Sequence, residues 1–511
     1  MVMQLMYWLV RRVKCDEGTP SCYACVSTGR KCDGYESNTD LALGLPSASL
    51  GPRSRSPFVG LLGSEQEHRS FLFFQQKSAP QLSGFLGGEF WETLLLQVAL
   101  YEPSIRYAIL ALGSLHETLE QHNDLTMQTH ADRRIDDFSL RNYNQAIKSL
   151  VVPFSRKGQQ SIDVCLISSI LFACLETMQG RYGPAIVHVQ SGMKILCEVK
   201  YDEKTRRHEH NALGVSNIPY VSMEFLEELF MRLDLQVTQM VGGQKWVIYD
   251  SMKKYEWTRK IPAIFSSLSE ARDTLASQWH VASYSPRHIW NPTSEKLPAV
   301  PQAGTWQKKS MSILARWSSA YDAYLNIRGD NMTDTKRKGT ASLYILKELG
   351  SMSKKLTGTT VDDERNWDVF CPMFQKIVSL AEDIVELDLK STAVEPQFCI
   401  DMAIIRPLFK VSCRCRDPII RRRAISILQN CGRTEGEWDA FLTSKVAQRV
   451  LDIEEFGLQD VRSCDDVPDW ARISNVFTVV EPFRRRATLT YSRLETKYDL
   501  TRQTKIEVIE W

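Results

Sequence analysis

Four cysteines lie within the first 32 residues of this 511-residue chain. They are Cys15, Cys22, Cys25 and Cys32, separated by six, two and six residues. Two thiolates that are two residues apart can reach one tetrahedral metal ion at about 2.3 Å, and longer loops bring further ligands around it. Glycines and a proline lie between these cysteines, where tight turns around an ion need special backbone angles. The spacing therefore predicts a metal–thiolate module rather than a hydrophobic core.

The rest of the composition is that of an ordinary globular protein. Thirteen cysteines, an odd number, are spread along the chain, and 43% of the residues are hydrophobic. The opening stretch MVMQLMYWLV is apolar, but its positive charges follow it instead of preceding it, unlike those of a secretory signal. No run approaches the roughly 20 apolar residues of a membrane helix. We therefore predict a reducing compartment, no disulfide framework and no membrane partner.

The sequence around the four cysteines resembles a known module. The runs RRVKCD and GRKCDGY, with Pro20 and a C-x2-C pair between them, are similar to the second two-thirds of the fungal six-cysteine binuclear zinc cluster. In fungal transcription factors of that family, six cysteines hold two zinc ions, and two of the six bridge both metals. The first two ligands of the family would fall at Leu5 and Trp8, which do not bind zinc. By the resemblance Cys22 is one bridge and the other is missing, so the cysteines present allow at most one zinc ion.

Two explanations for the missing ligands remain open. The first is that residues 1–10 are not authentic, because a misplaced start or a translated intron has replaced a cysteine-bearing exon. Transcript sequence across codons 1–15 tests it. The second is a degenerate cluster in which four thiolates hold one zinc ion with a net charge of −2. Five nearby cations would offset that charge: Arg11, Arg12, Lys14, Arg30 and Lys31.

The resemblance also assigns the DNA contacts. It places Arg11 and Arg12 on a short helix that enters the major groove, with Lys14 just before Cys15. The resemblance also implies that Arg12 contacts a DNA base and recognises it. An arginine fork can donate two hydrogen bonds to guanine O6 and N7, whereas lysine mostly contacts phosphate. We therefore expect a guanine-containing site, and the usual half-site of the family is a CGG triplet.

The predicted function is sequence-specific DNA binding that regulates transcription by RNA polymerase II. It implies zinc as the cofactor, double-stranded DNA and transcriptional co-regulators as partners, and the nucleus as the location. Over the whole chain 63 Lys and Arg residues stand against 61 Asp and Glu, a formal charge of +2. DNA contact must therefore come from a local basic cluster rather than from a globally basic surface.

Residues 1–35 form the predicted zinc module, and residues 36–66 read as a flexible linker. The linker contains Pro46, Pro52 and Pro57 among serines and glycines and has no helical period. It also lacks three consecutive heptads, so no coiled-coil dimer is indicated and the oligomeric state is left open.

From residue 67 to residue 511 the sequence predicts successive helices, and so a mainly α fold with a large all-α domain. After Pro103, apolar residues recur at the spacing of a buried helix face. This stripe comprises Ile105, Ala108, Ile109, Leu112, Leu115, His116 and Leu119. Helices are predicted over 161–178 and from Pro184, and the short QGRYG connection predicts that the two pack together. Further helices are predicted near 221–242, 309–327, 340–356, 367–388, 399–412, 417–430 and 438–455. Strand-like alternation occurs mainly near the carboxyl end.

This helical body has a family resemblance of its own. Residues 70–117, residues 174–196 and the closing IEW resemble a fungal-specific transcription factor domain. The resemblance implies that the body is regulatory. Gly180, Gly183 and Gly192 are interpreted as positions of turns or close helix contacts.

The other histidines and cysteines are interpreted as structural. His188 is expected on a helix, and His208 and His210 in a solvated loop, with a ligand pocket and a metal site as the respective alternatives. Five cysteines are interpreted as small hydrophobes or as thiols without companion ligands: Cys165, Cys174, Cys197, Cys413 and Cys415.

Two other functions compete with DNA binding. One is a non-DNA-binding helical scaffold for interaction or ligand sensing, with a vestigial cluster. The other is a helical enzyme, but the chain has no P-loop, HExxH or GxSxG motif, and we predict that it is not an enzyme. The runs Arg421 to Arg423 and Arg484 to Arg486 are interpreted as nuclear-import patches, partner contacts or solvated helix faces.

Overall fold

The computed structural model describes most of the chain from residue 63 onward. The described residues are 63–121, 136–155, 160–202, 207–214, 219–240, 260–283, 303–328, 332–356, 363–391, 397–436, 438–481, 486–496, 498–499 and 501–511. All of them belong to the unit Gly60–Trp511. The predicted zinc module and nearly all of the predicted linker therefore lie outside the described residues.

Helices account for most of the described chain, so the predicted mainly α fold is confirmed. The helices are α1 (Glu65–Phe73), α2 (Ala79–Ser83), α3 (Leu95–Tyr101), α4 (Pro103–Gln121), α5 (Asp137–Ser155), α6 (Ile162–Met178), α7 (Tyr182–Glu198), α8 (Met223–Met240), α9 (Leu268–Ser283), α10 (Ala303–Arg328), α11 (Asp334–Lys355), α12 (Cys371–Ser391), α13 (Ile405–Arg414), α14 (Pro418–Asn430) and α15 (Ala440–Glu455). Short π-helical segments flank α2, and a 3-10 segment, Glu364–Phe370, leads into α12.

Local sequence rules explain where several helices begin. Helix α1 starts after Ser64, whose hydroxyl accepts from the Glu67 backbone N–H while the Glu67 carboxylate caps the Ser64 N–H. Helix α14 starts after Asp417, whose carboxylate accepts from the first free backbone N–H groups of the helix. Helix α4 begins at Pro103 as predicted. The predicted stripe on α4 is buried except for Leu119, which is half-buried.

The predicted pair near QGRYG is also present. Helices α6 and α7 pack against each other, and Gly180 between them has φ of +73°, a conformation that few other residues adopt readily. Gly192 lies where a Cβ would come within 2.1 Å of the Phe230 ring, so α7 and α8 approach closely there. Gly183 has neither a positive φ nor a close neighbour, since nothing lies within 4 Å of its Cβ position.

The prediction of an all-α domain is corrected by the structure, because the domain also contains β-strands. They are β1 (Lys200–Asp202), β2 (Arg207–Glu209), β3 (Gln397–Cys399), β4 (Arg433–Glu435), β5 (Trp438–Asp439), β6 (Ser474–Glu481), β7 (Arg486–Arg493) and β8 (Gln503–Glu510). Strands β6, β7 and β8 form an antiparallel sheet in chain order. Strand β3 pairs in parallel with β4, which pairs antiparallel with β5. The longest strands lie near the carboxyl end, where the strand-like alternation of the sequence occurs.

Three apolar clusters of the described residues connect these elements. The first joins helices α11 to α15. The second joins α9, α10 and α11 around Trp317, whose indole N–H donates to the Ala271 carbonyl at 2.9 Å. The third packs Ala487, Leu489 and Tyr491 of β7 against α13 and α15.

Gly113 allows α4 to pack directly against α1. A Cβ at this position would lie 2.0 Å from the Ser70 carbonyl oxygen and 3.1 Å from Phe74 Cβ. We expect Gly113→Ala to lower the free energy of unfolding by about 1–3 kcal/mol, because a backbone atom must move to admit the methyl group. Urea unfolding of the full chain, followed by circular dichroism, measures the change.

Gly183→Ala is the matched control. This glycine lies in the first turn of α7 with open space around its Cβ position. Alanine there should leave stability unchanged or raise it by up to about 1 kcal/mol, because it restricts the unfolded chain. Similar destabilisation by both substitutions would show that the close contact at Ser70 is not what requires Gly113.

Within the described ranges, no helix is both long enough and apolar enough to span a membrane.

Candidate functional site

The residues predicted to bind zinc and DNA have no described geometry. Cys15, Cys22, Cys25 and Cys32 lie outside the described residues, as do the predicted DNA contacts Arg11, Arg12 and Lys14. Their roles therefore stay predictions based on spacing and resemblance. What the structure does show is which residues of the helical body could perform metal, catalytic or binding chemistry.

The cysteines of the helical body are poorly suited to metal binding. Burial raises the pKa of Cys165 and of Cys413 to about 12, and it also raises the pKa of Cys174. Metals bind the thiolate, so a protonated buried thiol is a weak ligand at neutral pH. Over the described ranges, no three His, Cys, Asp or Glu residues are grouped so that they could hold a metal ion.

His188 and His210 have specific polar neighbours. The hydroxyl of Tyr143 donates to Glu176 at 2.9 Å and lies 3.3 Å from His188 Nε2, and burial lowers the pKa of His188. The expectation of a solvated loop is wrong for His210, whose side chain is only 4% exposed. Its Nδ1 accepts from the backbone N–H of Ala212 at 3.0 Å, and its Nε2 lies 3.2 Å from Glu198. The imidazole therefore fixes a turn.

Ser78, His116 and Glu120 form an arrangement that superficially matches a hydrolase. Ser78 Oγ lies 2.9 Å from His116 Nδ1, and His116 Nε2 lies 3.5 Å from Glu120. Burial lowers the pKa of His116 to about 4, so the imidazole is neutral at pH 7. Ser78 is 0% exposed, which denies a substrate access to its hydroxyl. We interpret the three residues as a polar contact between α4 and the segment before α2.

The interpretation of Arg421 to Arg423 as a nuclear-import patch, partner contact or solvated helix face is wrong for Arg421. This residue is fully buried, and its Nε donates to the Ser412 carbonyl at 2.8 Å. Arg422 pairs with Glu455, and Arg423 pairs with Glu382. Successive helix positions point about 100° apart, so three consecutive arginines cannot share one face. In the other run, Arg486 pairs with Glu481, and Arg484 lies outside the described residues.

A buried ionic cluster, centred on Glu454, connects the last helices to the carboxyl-terminal sheet. Arg416 Nη2 donates to Glu454 Oε1 at 2.7 Å, and Arg421 Nη1 lies 2.8 Å from Glu454 Oε2. The backbone N–H of Ile473, just before β6, also donates to Glu454 at 2.7 Å. Arg416 reaches Glu364 as well, at 3.1 Å. Helices α13, α14 and α15 are thus tied together without exposure of these charges to solvent.

A second ionic cluster joins α8 and α9 to the segment after β3. Arg232 lies 2.6 Å from Asp273 and 3.0 Å from Asp401, and Arg272 lies 2.7 Å from Asp401. Burial would raise the pKa of Asp401, but the two arginines outweigh that effect and lower it. Two cations and two anions balance, so this cluster is structural in character and offers no surplus charge to a ligand.

Two parts of the chain match known protein families. Residues 10–41 match the fungal Zn(2)-Cys(6) binuclear cluster domain, and residues 70–257 match the fungal specific transcription factor domain. The first match includes all four amino-terminal cysteines and begins after Leu5 and Trp8. Both resemblances drawn from the sequence are confirmed. In its domain composition the chain is therefore similar to fungal zinc-cluster transcription regulators, a class whose cluster domain implies zinc and DNA binding.

Individual relatives agree with that class. The chain is 24% identical to the aspercryptin biosynthesis cluster-specific transcription regulator atnN of Emericella nidulans, over 87% of this chain and 86% of that protein. It is 28% identical to the transcription regulator lscL of Purpureocillium lilacinum, over 37% of this chain and 48% of that protein. An uncharacterized transcriptional regulatory protein of Schizosaccharomyces pombe is 29% identical over 20% of this chain and 22% of its own length. No solved structure matches the chain significantly.

Proposed function

We propose that the chain binds specific DNA sequences through a zinc module in residues 1–35 and regulates transcription by RNA polymerase II from the nucleus. A linker would connect the module to the regulatory domain; its predicted end at residue 66 moves to residue 64, because helix α1 begins at Glu65. The observation that carries the proposal is the combination of the four-cysteine spacing with adjacent arginines inside the cluster match at 10–41. The name of the relative atnN describes a regulator of a biosynthesis gene cluster, and we infer control of a defined gene set here too.

The donor set supports one zinc ion. Four thiolates complete one tetrahedral zinc ion, whereas two ions require eight bonds. With Leu5 and Trp8 at the places of the first two family ligands, the remaining bonds of a second ion have no donor in that match. We therefore propose Cys15, Cys22, Cys25 and Cys32 as ligands of a single zinc ion. Elemental analysis of the purified full chain tests the number, and two zinc ions per chain would contradict it.

Arg12 is the proposed base-reading residue, with Arg11 and Lys14 contacting DNA beside it. We expect Arg12→Ala to weaken binding to a CGG-containing duplex by about 1–3 kcal/mol, because a bidentate contact to guanine is lost. Binding to random duplex should weaken much less. Fluorescence anisotropy titrations of the full chain with both duplexes measure the two losses.

Arg422→Ala is the control for removing one arginine. Arg422 lies half-exposed on α14, where it pairs with Glu455. Its substitution should leave both duplex affinities unchanged. Equal losses of specific and random binding in Arg12→Ala would instead identify Arg12 as a phosphate contact.

The alternative function is a helical scaffold with a vestigial cluster. A cavity between the carboxyl-terminal sheet and helices α7, α13 and α15 favours it in one respect, since ligand sensing needs a site within the helical body. The two functions differ in their salt dependence, because DNA binding releases counterions and weakens steeply as salt increases. Absence of binding to guanine-containing duplexes at low salt, in a zinc-loaded chain, would support the scaffold.

A further inference from the structure

A cavity of about 90 Å³ lies between the carboxyl-terminal sheet and three helices. Residues of β5, β6, α7, α13 and α15 line it. Most of the wall is apolar, with Phe409, Leu442, Val446, Val476 and Val480 among the lining residues. Several of these residues also belong to the third apolar cluster, so the cavity continues a packed core. The walls of the cavity are therefore helices and strands of that core.

Two polar atoms in this wall lack a partner. Trp438 Nε1 and Thr478 Oγ1 are both buried, and neither has a hydrogen-bond partner among the described residues. Both side chains line the cavity. An unpaired buried donor loses its hydration without compensation, so such atoms are normally bonded to something. An indole N–H only donates, whereas a threonine hydroxyl donates and accepts.

The charge of the wall restricts what could bind. Asp439 lines the cavity, and its carboxylate already accepts from the Leu442 backbone N–H at 2.9 Å and from the Thr434 hydroxyl at 3.3 Å. The lining residues include no lysine, arginine or histidine. An anionic ligand would therefore meet a carboxylate without a compensating cation. A neutral ligand is favoured.

We propose that this cavity binds a small, neutral, mostly apolar molecule that carries a hydrogen-bond-accepting oxygen, such as a ketone. The oxygen accepts from Trp438 Nε1 and the Thr478 hydroxyl, and the apolar part contacts Phe409, Val446 and Val476. The cavity is smaller than an ordinary drug-sized site, so the bound part of the ligand is about the size of one aromatic ring. This site is independent of the zinc module and of DNA binding.

Acetophenone and α-methylstyrene are suitable probes, because they share a shape and differ in having or lacking the oxygen. The full chain, with its 12 tryptophans replaced by 5-fluorotryptophan, gives a fluorine NMR signal for each. The signal that disappears in Trp438→Phe belongs to Trp438. Acetophenone should shift that signal with saturation, and α-methylstyrene should bind about five- to tenfold more weakly. No shift with acetophenone, or equal affinities for the two probes, overturns the proposal and leaves water as the partner of both atoms.

Thr478→Val tests the second polar atom without a change of shape. It should weaken acetophenone binding several-fold and leave α-methylstyrene binding unchanged. Val479→Thr is the matched control, since Val479 is the neighbouring residue on β6, is 48% exposed and does not line the cavity. The affinity of Val479→Thr for acetophenone should equal that of the wild type. If both variants weaken binding equally, the effect comes from the strand as a whole and the assigned contact is wrong.

Discussion

Replacing Glu454 with glutamine should destabilise the helical body by about 3–5 kcal/mol, the cost of breaking a buried ion pair by removing one partner. Glu454 and both of its arginine partners, Arg416 and Arg421, are 0% exposed. A neutral amide leaves the two cations without their shared carboxylate, and water cannot replace it. The amide can also accept only part of what the carboxylate accepts from Arg416 and the Ile473 N–H, and it loses the ion pair with Arg421. Thermal and urea unfolding of the full chain measure the loss.

The pH dependence of the same variant tests the cause. Burial would raise the pKa of Glu454, but Arg416 and Arg421 outweigh it and lower the pKa from 4.5 to about 2. A carboxylate with a lowered folded-state pKa stabilises the fold above its unfolded-state pKa, and that contribution is lost as the pH falls toward the folded value. The difference in unfolding free energy between wild type and Glu454→Gln should therefore be full at pH 7 and shrink between about pH 4.5 and pH 2.

Glu386→Gln is the matched control. Glu386 pairs with Lys390 one turn away on α12, and both side chains are about two-thirds exposed, at 65% and 66%. Solvent-exposed pairs contribute little, so this substitution should leave the unfolding midpoint unchanged. A loss in Glu386→Gln as large as that in Glu454→Gln would mean that burial of the carboxylate is not what makes Glu454 important.

Much of the helical order could be predicted, because a helix is recognised from contacts within one stretch of sequence. The apolar stripe of α4 and the start at Pro103 are local features, and so is the glycine between α6 and α7. The family resemblances were likewise carried by short motifs. These features can be recognised in a sequence without any knowledge of what the elements pack against.

Helix α9 and strand β8 have inward faces that their hydrophobic pattern does not reveal. Helix α9 buries Arg272, Asp273 and Thr274, so its apolar stripe is interrupted. Those charges are tolerated because Arg232 and Asp401, far away in the chain, lie against them. Strand β8 shows the opposite, since Ile506 is 68% exposed. Hydrophobic pattern alone could therefore identify neither the inward face of α9 nor that of β8.

The candidate sites were harder still to predict. Arg416 and Glu454 are 38 residues apart, and Trp438 and Thr478 belong to separate strands of different sheets. No motif connects either pair. The arginine run at 421 illustrates the limit, because the sequence shows three cations and only the packing of α14 shows that the first points inward. By contrast, the proposed zinc ligands are close in sequence, and spacing alone makes them a testable set.

Loss of one zinc ligand should have the largest effect on function. We expect Cys25→Ser to abolish zinc retention and to reduce binding of a CGG-containing duplex about a thousandfold, to the level of non-specific binding. The proposed site has four thiolates, and structural zinc supplies roughly 10–16 kcal/mol of apparent binding energy to such modules. Serine is a poor replacement for a thiolate, so the arginines at 11 and 12 would lose their fixed position. Zinc content and anisotropy titrations on the full chain measure both losses.

Cys197→Ser distinguishes loss of the zinc site from general damage caused by removing a thiol. Cys197 lies in α7, far along the chain from the proposed ligands. This variant should keep its zinc and its specific DNA affinity. The helical body should also unfold at the same urea concentration in Cys25→Ser as in the wild type, because Cys25 lies outside the unit Gly60–Trp511. Retention of zinc and of specific binding by Cys25→Ser would show that Cys25 is not a zinc ligand, and the proposed site of four thiolates would then be wrong.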